Sequence, residues 1–312
     1  METAILIPCY NEEQTIRKVI EDFQKEMPHA TIYVYDNNST DNTYAVASSI
    51  EGVVVRKEPK QGKGNVVRSM FRDIDADCYI MADGDDTYPA SFGTKLEALV
   101  LEQGVDMAIG DRLSSTYFTE NKRRFHNGGN VIVRKLINFL FHSDLHDIMT
   151  GARAFSRDFV KSYPVTSKGF EIETEMTIFA LDHNFKLAEV PIEYRDRPEG
   201  SESKLNTYSD GAKVLLTIAR LFRDTKPFAF FSIISLLFLI IAVSFFIPVF
   251  VAYLNTGLVL KFPTLIVACG LGIVAVLTFF CGLVLSVLRN EHRQTFERDL
   301  TILRYLTVYH KK

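Results

Sequence analysis

The chain has 312 residues, with 35 Lys and Arg against 38 Asp and Glu for a formal charge of −3, and four cysteines. That charge is unevenly placed: residues 1–226 carry 28 Lys and Arg against 35 Asp and Glu, net −7, residues 227–288 hold only Lys261, and the rest is net +3. The acidic first part argues against a general nucleic-acid binder, whose affinity rests on cations that neutralise phosphates.

In chain order, Ala4 to Tyr10 is a continuous apolar run that reads as a buried strand. It ends at Asn11-Glu12-Glu13, where Asn11 is expected to cap a helix with acids in its first turn. Ile16, Val19, Ile20 and Phe23 then recur at helical spacing. Thr31 to Tyr35 is a second strand that closes in the polar stretch Asp36 to Thr43. Val53 to Val55 is a third, and Gln61-Gly62-Lys63-Gly64-Asn65 leads into another helix. Cys78 to Met81 and Val105 to Ile109 complete five strands, the last followed by Gly110-Asp111-Arg112. Continuous apolar strands alternating with amphipathic helices predict an α/β domain, Rossmann-like, on a mostly parallel sheet covered on both faces. Ligands of such sheets bind beyond the carboxyl ends of the strands, and strands one, two, four and five all end in polar residues.

The fourth strand runs into Asp83-Gly84-Asp85-Asp86-Thr87. Carboxylates clustered around a glycine suit a hard cation held by oxygen ligands, and they equally suit a solvated turn. Neither a GxGxxG fingerprint after the first strand nor a P-loop signature occurs, which weighs against a dinucleotide oxidoreductase and an NTPase.

Asn206 to Thr225 reads as an amphipathic helix for a membrane interface, with Val214, Leu215, Ile218, Leu221 and Phe222 on one side. Pro227 to Leu260 is then an uncharged run of 34 residues and Phe262 to Leu288 another of 27. Each exceeds the ~20 apolar residues that cross a bilayer as a helix. The expected organisation is therefore a head domain over 1–205, a juxtamembrane helix over 206–226, a two-helix hairpin over 227–289 (spans near 228–253 and 263–288) and a basic tail over 290–312. Met1 to Leu6 has no basic leader or cleavage-site pattern, and Arg220, Arg223, Lys226, Arg289, Arg293 and Arg298 flank the hairpin's outer ends. Both observations predict that the head and both termini are cytoplasmic. Cys9, Cys78, Cys269 and Cys281 show no metal spacing and read as reduced structural thiols. Pro248 is placed to kink the first span, and Gly270, Gly272 and Gly282 to allow close helix packing, including between subunits of a homo-oligomer.

Ile7-Pro8-Cys9-Tyr10-Asn11-Glu12-Glu13, Asp36-Asn37-Asn38-Ser39-Thr40-Asp41 and Asp83-Gly84-Asp85, in that order, resemble the family 2 glycosyltransferases of GT-A fold. His146 to Phe155 is similar to that family's segment ending in Gly-x-Arg-x-Phe, here Gly151 to Phe155. Arg195 to Leu205 is similar to the Arg-x-x-Gly-x-Ser-Lys stretch of the dolichol-phosphate mannose synthase branch. The resemblance covers about residues 3 to 226, and the two apolar spans extend it to the polyprenyl-phosphate glycosyltransferases.

The resemblance implies a membrane-anchored, inverting enzyme that moves a hexosyl group from a nucleotide sugar to polyprenyl phosphate, undecaprenyl or dolichyl. Asp83 and Asp85 match the family's DxD pair and are expected to hold Mg²⁺ or Mn²⁺ as a Lewis acid at the leaving diphosphate, with Asp86 or Thr87 in support. Pro8, Tyr10, Glu12 and Asp36, with Asp83, are expected at the nucleotide sugar; Glu12 read alone is a first-turn helix acid. A lipid phosphate, with a second pKa of about 6, is already anionic and needs positioning cations more than a general base. Arg112, Arg124, Arg197 and Lys204 fall in segments similar to the family's acceptor-phosphate contacts, whereas Arg123 and Arg134 read as surface charge. The expected catalytic residues are Asp85, Arg112 and Glu175, the last because Glu171 to Met176 lies where relatives place an acid near the acceptor. Glu173, two residues away, does not share a helix face with Glu175, so at most one of them serves. Asp36-Asn37-Asn38 departs from the Asp-Asp-Gly-Ser form of mannose synthases, which favours UDP-glucose or UDP-N-acetylglucosamine over GDP-mannose. Two other readings lose ground on the sequence. A polysaccharide synthase would carry a Gln-x-x-Arg-Trp motif, and this chain has no tryptophan. A non-catalytic nucleotide-sugar-binding scaffold would have lost the acidic pair or the basic residues.

Overall fold

A computed structural model describes residues 1–114, 124–169, 171–195, 216, 219–220 and 222–310, without the side chains of 124–130, 132 and 307–310. The chain divides into two units, Met1–Ile218 and Ala219–Lys312.

The first unit holds a seven-stranded sheet: β1 (Thr3–Cys9), β2 (Thr31–Asp36), β3 (Val53–Lys57), β4 (Cys78–Met81), β5 (Met107–Asp111), β6 (Arg153–Ser156) and β7 (Leu187–Pro191), in the order β3-β2-β1-β4-β6-β5-β7. All neighbours are parallel except β6, which runs antiparallel between β4 and β5. The carboxyl ends of β1, β2, β4 and β5 therefore share one edge, and the antiparallel β6 starts there, with Met81 and Ile109 both opposite Arg153. Five strands are legible as apolar runs. β6 and β7 are not, because one is four residues opening on an arginine and the other carries Glu189 in its middle.

Helices α1 (Ile16–Glu26), α2 (Thr43–Ser48), α3 (Lys63–Asp73), α4 (Phe92–Leu101), α5 (Arg124–Phe141), α6 (Arg157–Ser162) and α7 (Ile172–Asp182) connect these strands. Alternation along β4 builds two cores. Cys78 and Ile80 join Ile16, Ile20 and Phe23 of α1 and Leu96 of α4, while Tyr79 meets Phe71, which meets Phe155 in turn. Each such fully buried aliphatic or aromatic side chain stabilises by about 1.5–3 kcal/mol.

One local expectation changes. Helix α1 starts at Ile16, with Thr15 at its cap position. Asn11 instead takes φ 53°, donates its N–H to Ser39 Oγ (2.9 Å) and accepts from Thr40 N at Oδ1 (2.8 Å). An asparagine tolerates this left-handed conformation, and it spends its side chain tying the loop after β1 to the loop after β2.

The second unit is a pair of helices, α8 (Pro227–Thr256) and α9 (Phe262–His310). Both are long and apolar enough to cross a membrane by length and composition. Ser235 Oγ donates to the Ala275 carbonyl at 2.7 Å, pinning one helix to the other. A Cβ on Gly282 would lie 2.7 Å from Phe231 Cβ, so this glycine permits the close approach, while Gly270 and Gly272 face open space. Helix α9 continues past its apolar part without a break to His310.

Candidate active site

The acidic loop after β4 is wedged against the start of α1. Thr15 Oγ1 donates to the Gly84 carbonyl at 2.7 Å, and a Cβ on Gly84 would lie 2.8 Å from Cys9 Sγ. Only a glycine lets the two acids stand on either side of so tight a contact. Asp85 is buried, and its Oδ1 accepts from Thr87 Oγ1 (2.6 Å) and Thr87 N (3.2 Å). Thr87 thus orients Asp85, and its own carbonyl is held by Arg195 N at 2.9 Å. Asp86 turns away at φ 57° to meet Lys18 Nζ at 2.7 Å on the surface of α1.

Asp83 faces the other way. Its Oδ1 lies 2.6 Å from Lys63 Nζ, which also lies 2.7 Å from Glu173 Oε1 on α7. Burial alone lowers an ammonium's pKa, but Asp83 and Glu173 outweigh it and hold Lys63 well above its ordinary value. Burial raises Glu173, with Lys63 opposing. Glu173 is the alternative to Glu175 in the sequence, whereas Lys63 does not stand out there as a site residue. The available signal is Lys63 between two glycines at a helix start, where glycine is unfavourable unless the backbone must approach something closely. It does: Gly64 N donates to the Lys168 carbonyl at 3.0 Å.

Glu175, the expected catalytic acid, lies elsewhere. Its carboxylate accepts from Thr166 N (3.0 Å), Thr166 Oγ1 and Ser167 N (2.7 Å), so it shapes the loop before α7. Of the two glutamates, Glu173 is the one brought beside Asp83.

At the end of β2, Asp36 is 2% exposed, and its Oδ1 has no hydrogen-bond partner among the described residues. A buried carboxylate oxygen without a donor is costly, so it marks a place where a ligand N–H or O–H fits. Asn37 beside it braces the neighbouring loop. Its Nδ2 donates to the carbonyls of Glu58 (3.1 Å) and Lys60 (2.8 Å), and its Oδ1 accepts from Gly62 N (2.7 Å). Glu12 is buried just before α1, its N–H bound to Thr43 Oγ1 at 2.7 Å, so it is part of the turn and not of the helix. Pro8 pairs with Tyr35 within the sheet, and Tyr10 follows the end of β1 half-buried.

The loop before β6 closes the site from the other side. Arg153, fully buried, donates to the carbonyls of Thr150 (3.0 Å) and Ile148 (2.5 Å) and to Thr177 Oγ1 (2.9 Å), clamping that loop. Burial lowers the Arg153 pKa, and Glu173 and Asp147 oppose that. Arg112 donates to Asp147 Oδ2 (2.8 Å), the Met149 carbonyl (3.1 Å) and Tyr88 OH (3.4 Å). Asp147 is oriented in turn by Glu189, which accepts from its N–H at 3.1 Å. Of the other expected acceptor cations, Arg124 opens α5 with its side chain outside the described atoms, and Arg197 and Lys204 lie outside the described residues.

Among the described residues no three His, Cys, Asp or Glu side chains gather to hold a metal. Asp83 and Asp85 still fit a hard divalent ion that takes its remaining oxygens from a ligand, and Asp83 already carries a cation, the Lys63 ammonium.

Comparison with known proteins gives the family and the fold. Residues 4–163 match the family described as Glycosyl transferase family 2. Glycosyltransferase AglJ of Haloferax volcanii is 36% identical over 228 residues, covering 73% of this chain and 74% of that protein. The dolichyl-phosphate hexose transferase of the same organism is 31% identical, covering 70% of this chain and 93% of its own. A solved structure of glucosyl-3-phosphoglycerate synthase from Mycobacterium tuberculosis, with Mn²⁺, UDP and phosphoglyceric acid, has a TM-score of 0.57 at 21% identity, covering 71% of this chain and 77% of that one. At that identity the likeness speaks to the fold, a GT-A sheet. With its acidic loop, its strand-end carboxylate and these relatives, the chain belongs to glycosyl transferase family 2 and is related to the polyprenyl-phosphate sugar transferases.

Proposed function

We propose that this glycosyltransferase moves a hexosyl group from a nucleotide sugar to a polyprenyl phosphate, with inversion, and is anchored in a membrane by α8 and α9. The observation that carries the donor half is Asp36 Oδ1, buried and without a donor among the described residues, across β1 from the Asp83-Gly84-Asp85 loop. A base with a ring N–H suits that oxygen: uracil N3 and guanine N1 both carry one, and cytosine N3 does not. Between these two a UDP-sugar, glucose or N-acetylglucosamine, is favoured over GDP-mannose. The UDP named with the solved structure of the same fold supports that choice.

Asp83 and Asp85 would hold Mg²⁺ or Mn²⁺, which when bound stabilises charge on the leaving diphosphate. The chain's own groups do the positioning. Thr87 fixes Asp85, Lys63 and Glu173 set the charge beside Asp83, and Pro8, Tyr10 and Glu12 line the edge beside Asp36. The relative named for dolichyl phosphate supports a lipid-phosphate acceptor. Its oxygen is anionic near neutrality and attacks the anomeric carbon without surrendering a proton. Arg112, held by Asp147, with Arg124, Arg197 and Lys204, would position it. Glu175 then serves by shaping the loop at Thr166 and Ser167. Basic residues at both outer ends of the hairpin support a cytoplasmic head and cytoplasmic termini.

Thermal unfolding of the full chain with a panel of UDP- and GDP-sugars tests this reading. Stabilisation of about 2.7 kcal/mol is expected at a hundredfold excess over Kd, for one nucleotide class, dependent on divalent metal and lost in Asp85→Ala. No stabilisation by any nucleotide sugar would overturn it.

A further inference from the structure

Lys63 sits between two carboxylates whose surroundings differ. Side-chain exposure falls from 26% at Asp83 to 9% at Lys63 and 6% at Glu173. Asp83 is thus the outer end of a negative–positive–negative chain and Glu173 the inner end. A carboxylate as buried as Glu173 is strongly destabilising when its cation leaves, whereas Asp83 can exchange one cation for another. The backbone around Lys63 is fixed, with Gly62 N on Asn37 Oδ1 (2.7 Å) and Gly64 N on the Lys168 carbonyl (3.0 Å). Only the tip of the flexible stem has freedom, and Glu173 tethers it.

Building on the donor-site reading above, we propose that Lys63 is an internal cation that competes with the divalent metal for Asp83, so that metal and nucleotide diphosphate bind together and the metal binds poorly alone. A divalent ion on Asp83 would stand within a few ångströms of the ammonium, where little water screens their repulsion. A diphosphate supplies the negative charge that satisfies both cations. The ammonium then turns from Asp83 towards the diphosphate while it stays on Glu173. Glu173 is the positioning residue of this exchange, and Lys63 becomes a donor contact only once the exchange has occurred.

The two ends of the chain predict opposite effects. With Lys63→Gln the competitor is gone, so Mn²⁺ binds more tightly without nucleotide. With Glu173→Gln the ammonium keeps Asp83 and loses the second carboxylate that holds it, so Mn²⁺ alone binds more weakly. Damage to the fold would weaken both.

The experiment titrates Mn²⁺ into the full-length protein in detergent, reading free aquo-Mn²⁺ by electron paramagnetic resonance, with and without UDP and in a parallel series GDP. Wild type is expected to gain about tenfold or more in Mn²⁺ affinity with nucleotide, a usual size for coupling between sites. Lys63→Gln is expected to lose most of that gain by binding the bare ion better. If that variant does not fold, the paired variant Lys63→Met with Glu173→Gln removes both charges and is expected to behave in the same way. Equal Mn²⁺ affinity with and without nucleotide in wild type overturns the proposal. So does nucleotide-dependent binding that the Lys63 variants leave unchanged, and that result leaves the donor site standing. Failure of wild type to bind Mn²⁺ even with nucleotide refutes the donor-site reading and this inference with it.

Discussion

Gly151→Ala is a one-carbon change that strikes the centre of the site. A Cβ there would lie 2.8 Å from Asp83 Cγ and 2.9 Å from Oδ1, with Oδ2 nearer still, where ordinary contact begins at 3.4 Å. The backbone cannot retreat, because Arg153 clamps the carbonyls of Thr150 and Ile148 on its approach. The Asp83 carboxylate must therefore move, by roughly 1 Å, and its pairing with Lys63 at 2.6 Å breaks or re-forms elsewhere. A misplacement of that size at a reacting centre lowers the rate about a hundredfold, which is about 2.7 kcal/mol of lost transition-state stabilisation. The overpacking itself is expected to cost about 1–3 kcal/mol of stability. The assay compares sugar transfer, Mn²⁺ affinity in the presence of nucleotide, and melting temperature. Gly270→Ala is the matched control, because a Cβ there meets open space. If Gly151→Ala kept kcat/KM and Mn²⁺ affinity within about twofold of wild type, Asp83 would not be the constrained group described above.

Three further outcomes follow from single side chains. Asn37→Ala removes the partner of two carbonyls and one N–H and is expected to destabilise the head by about 3 kcal/mol, read as a lower denaturation midpoint; an unchanged midpoint contradicts its bracing role. The Glu189 carboxylate raises the His146 pKa above its ordinary 6.5, so an NMR titration should show a higher midpoint that falls in Glu189→Gln. Because the folded value is the higher one, the small stabilisation from this exposed ring is complete below about pH 6.5 and is lost as pH rises through the folded midpoint. Ser235→Ala removes the hydroxyl that donates to Ala275 and is expected to weaken the α8–α9 pair by about 0.6 kcal/mol in micelles, measured by reversible unfolding in detergent; a stabilised variant would contradict it.

The parts of this molecule legible in the sequence are those built from long repeats of one property. β1, β2 and β4 stand as apolar runs because both their faces are covered, and α8 and α9 stand out by length alone. The acidic loop is legible because three carboxylates and a glycine are adjacent in the chain. β6 and β7 are hidden by Arg153 and Glu189, charged residues that a strand accommodates here because one clamps carbonyls and the other receives the N–H groups of His146 and Asp147. Helical spacing separates Glu173 from Glu175, yet which of them meets the site depends on which one the fold sets beside Lys63 at the start of α3, a long-range fact. Lys63 is hidden for the same reason: its meaning lies in partners 20 residues away and beyond 100. Asn37 reads in the sequence as a departure from a substrate-reading motif, whereas its side chain braces the loop after β3.

Sugar transfer itself is the most direct test. Purified full-length protein would be given radiolabelled UDP-glucose, UDP-N-acetylglucosamine and GDP-mannose in turn, with undecaprenyl or dolichyl phosphate in detergent and Mn²⁺ or Mg²⁺. The expected product is a labelled polyprenyl-phosphate hexose from one nucleotide class, lost on chelation of the metal and in Asp85→Ala. Label that reaches a water-soluble hydroxyl acceptor and never the lipid phosphate, or transfer that survives both chelation and Asp85→Ala, would contradict the proposed activity.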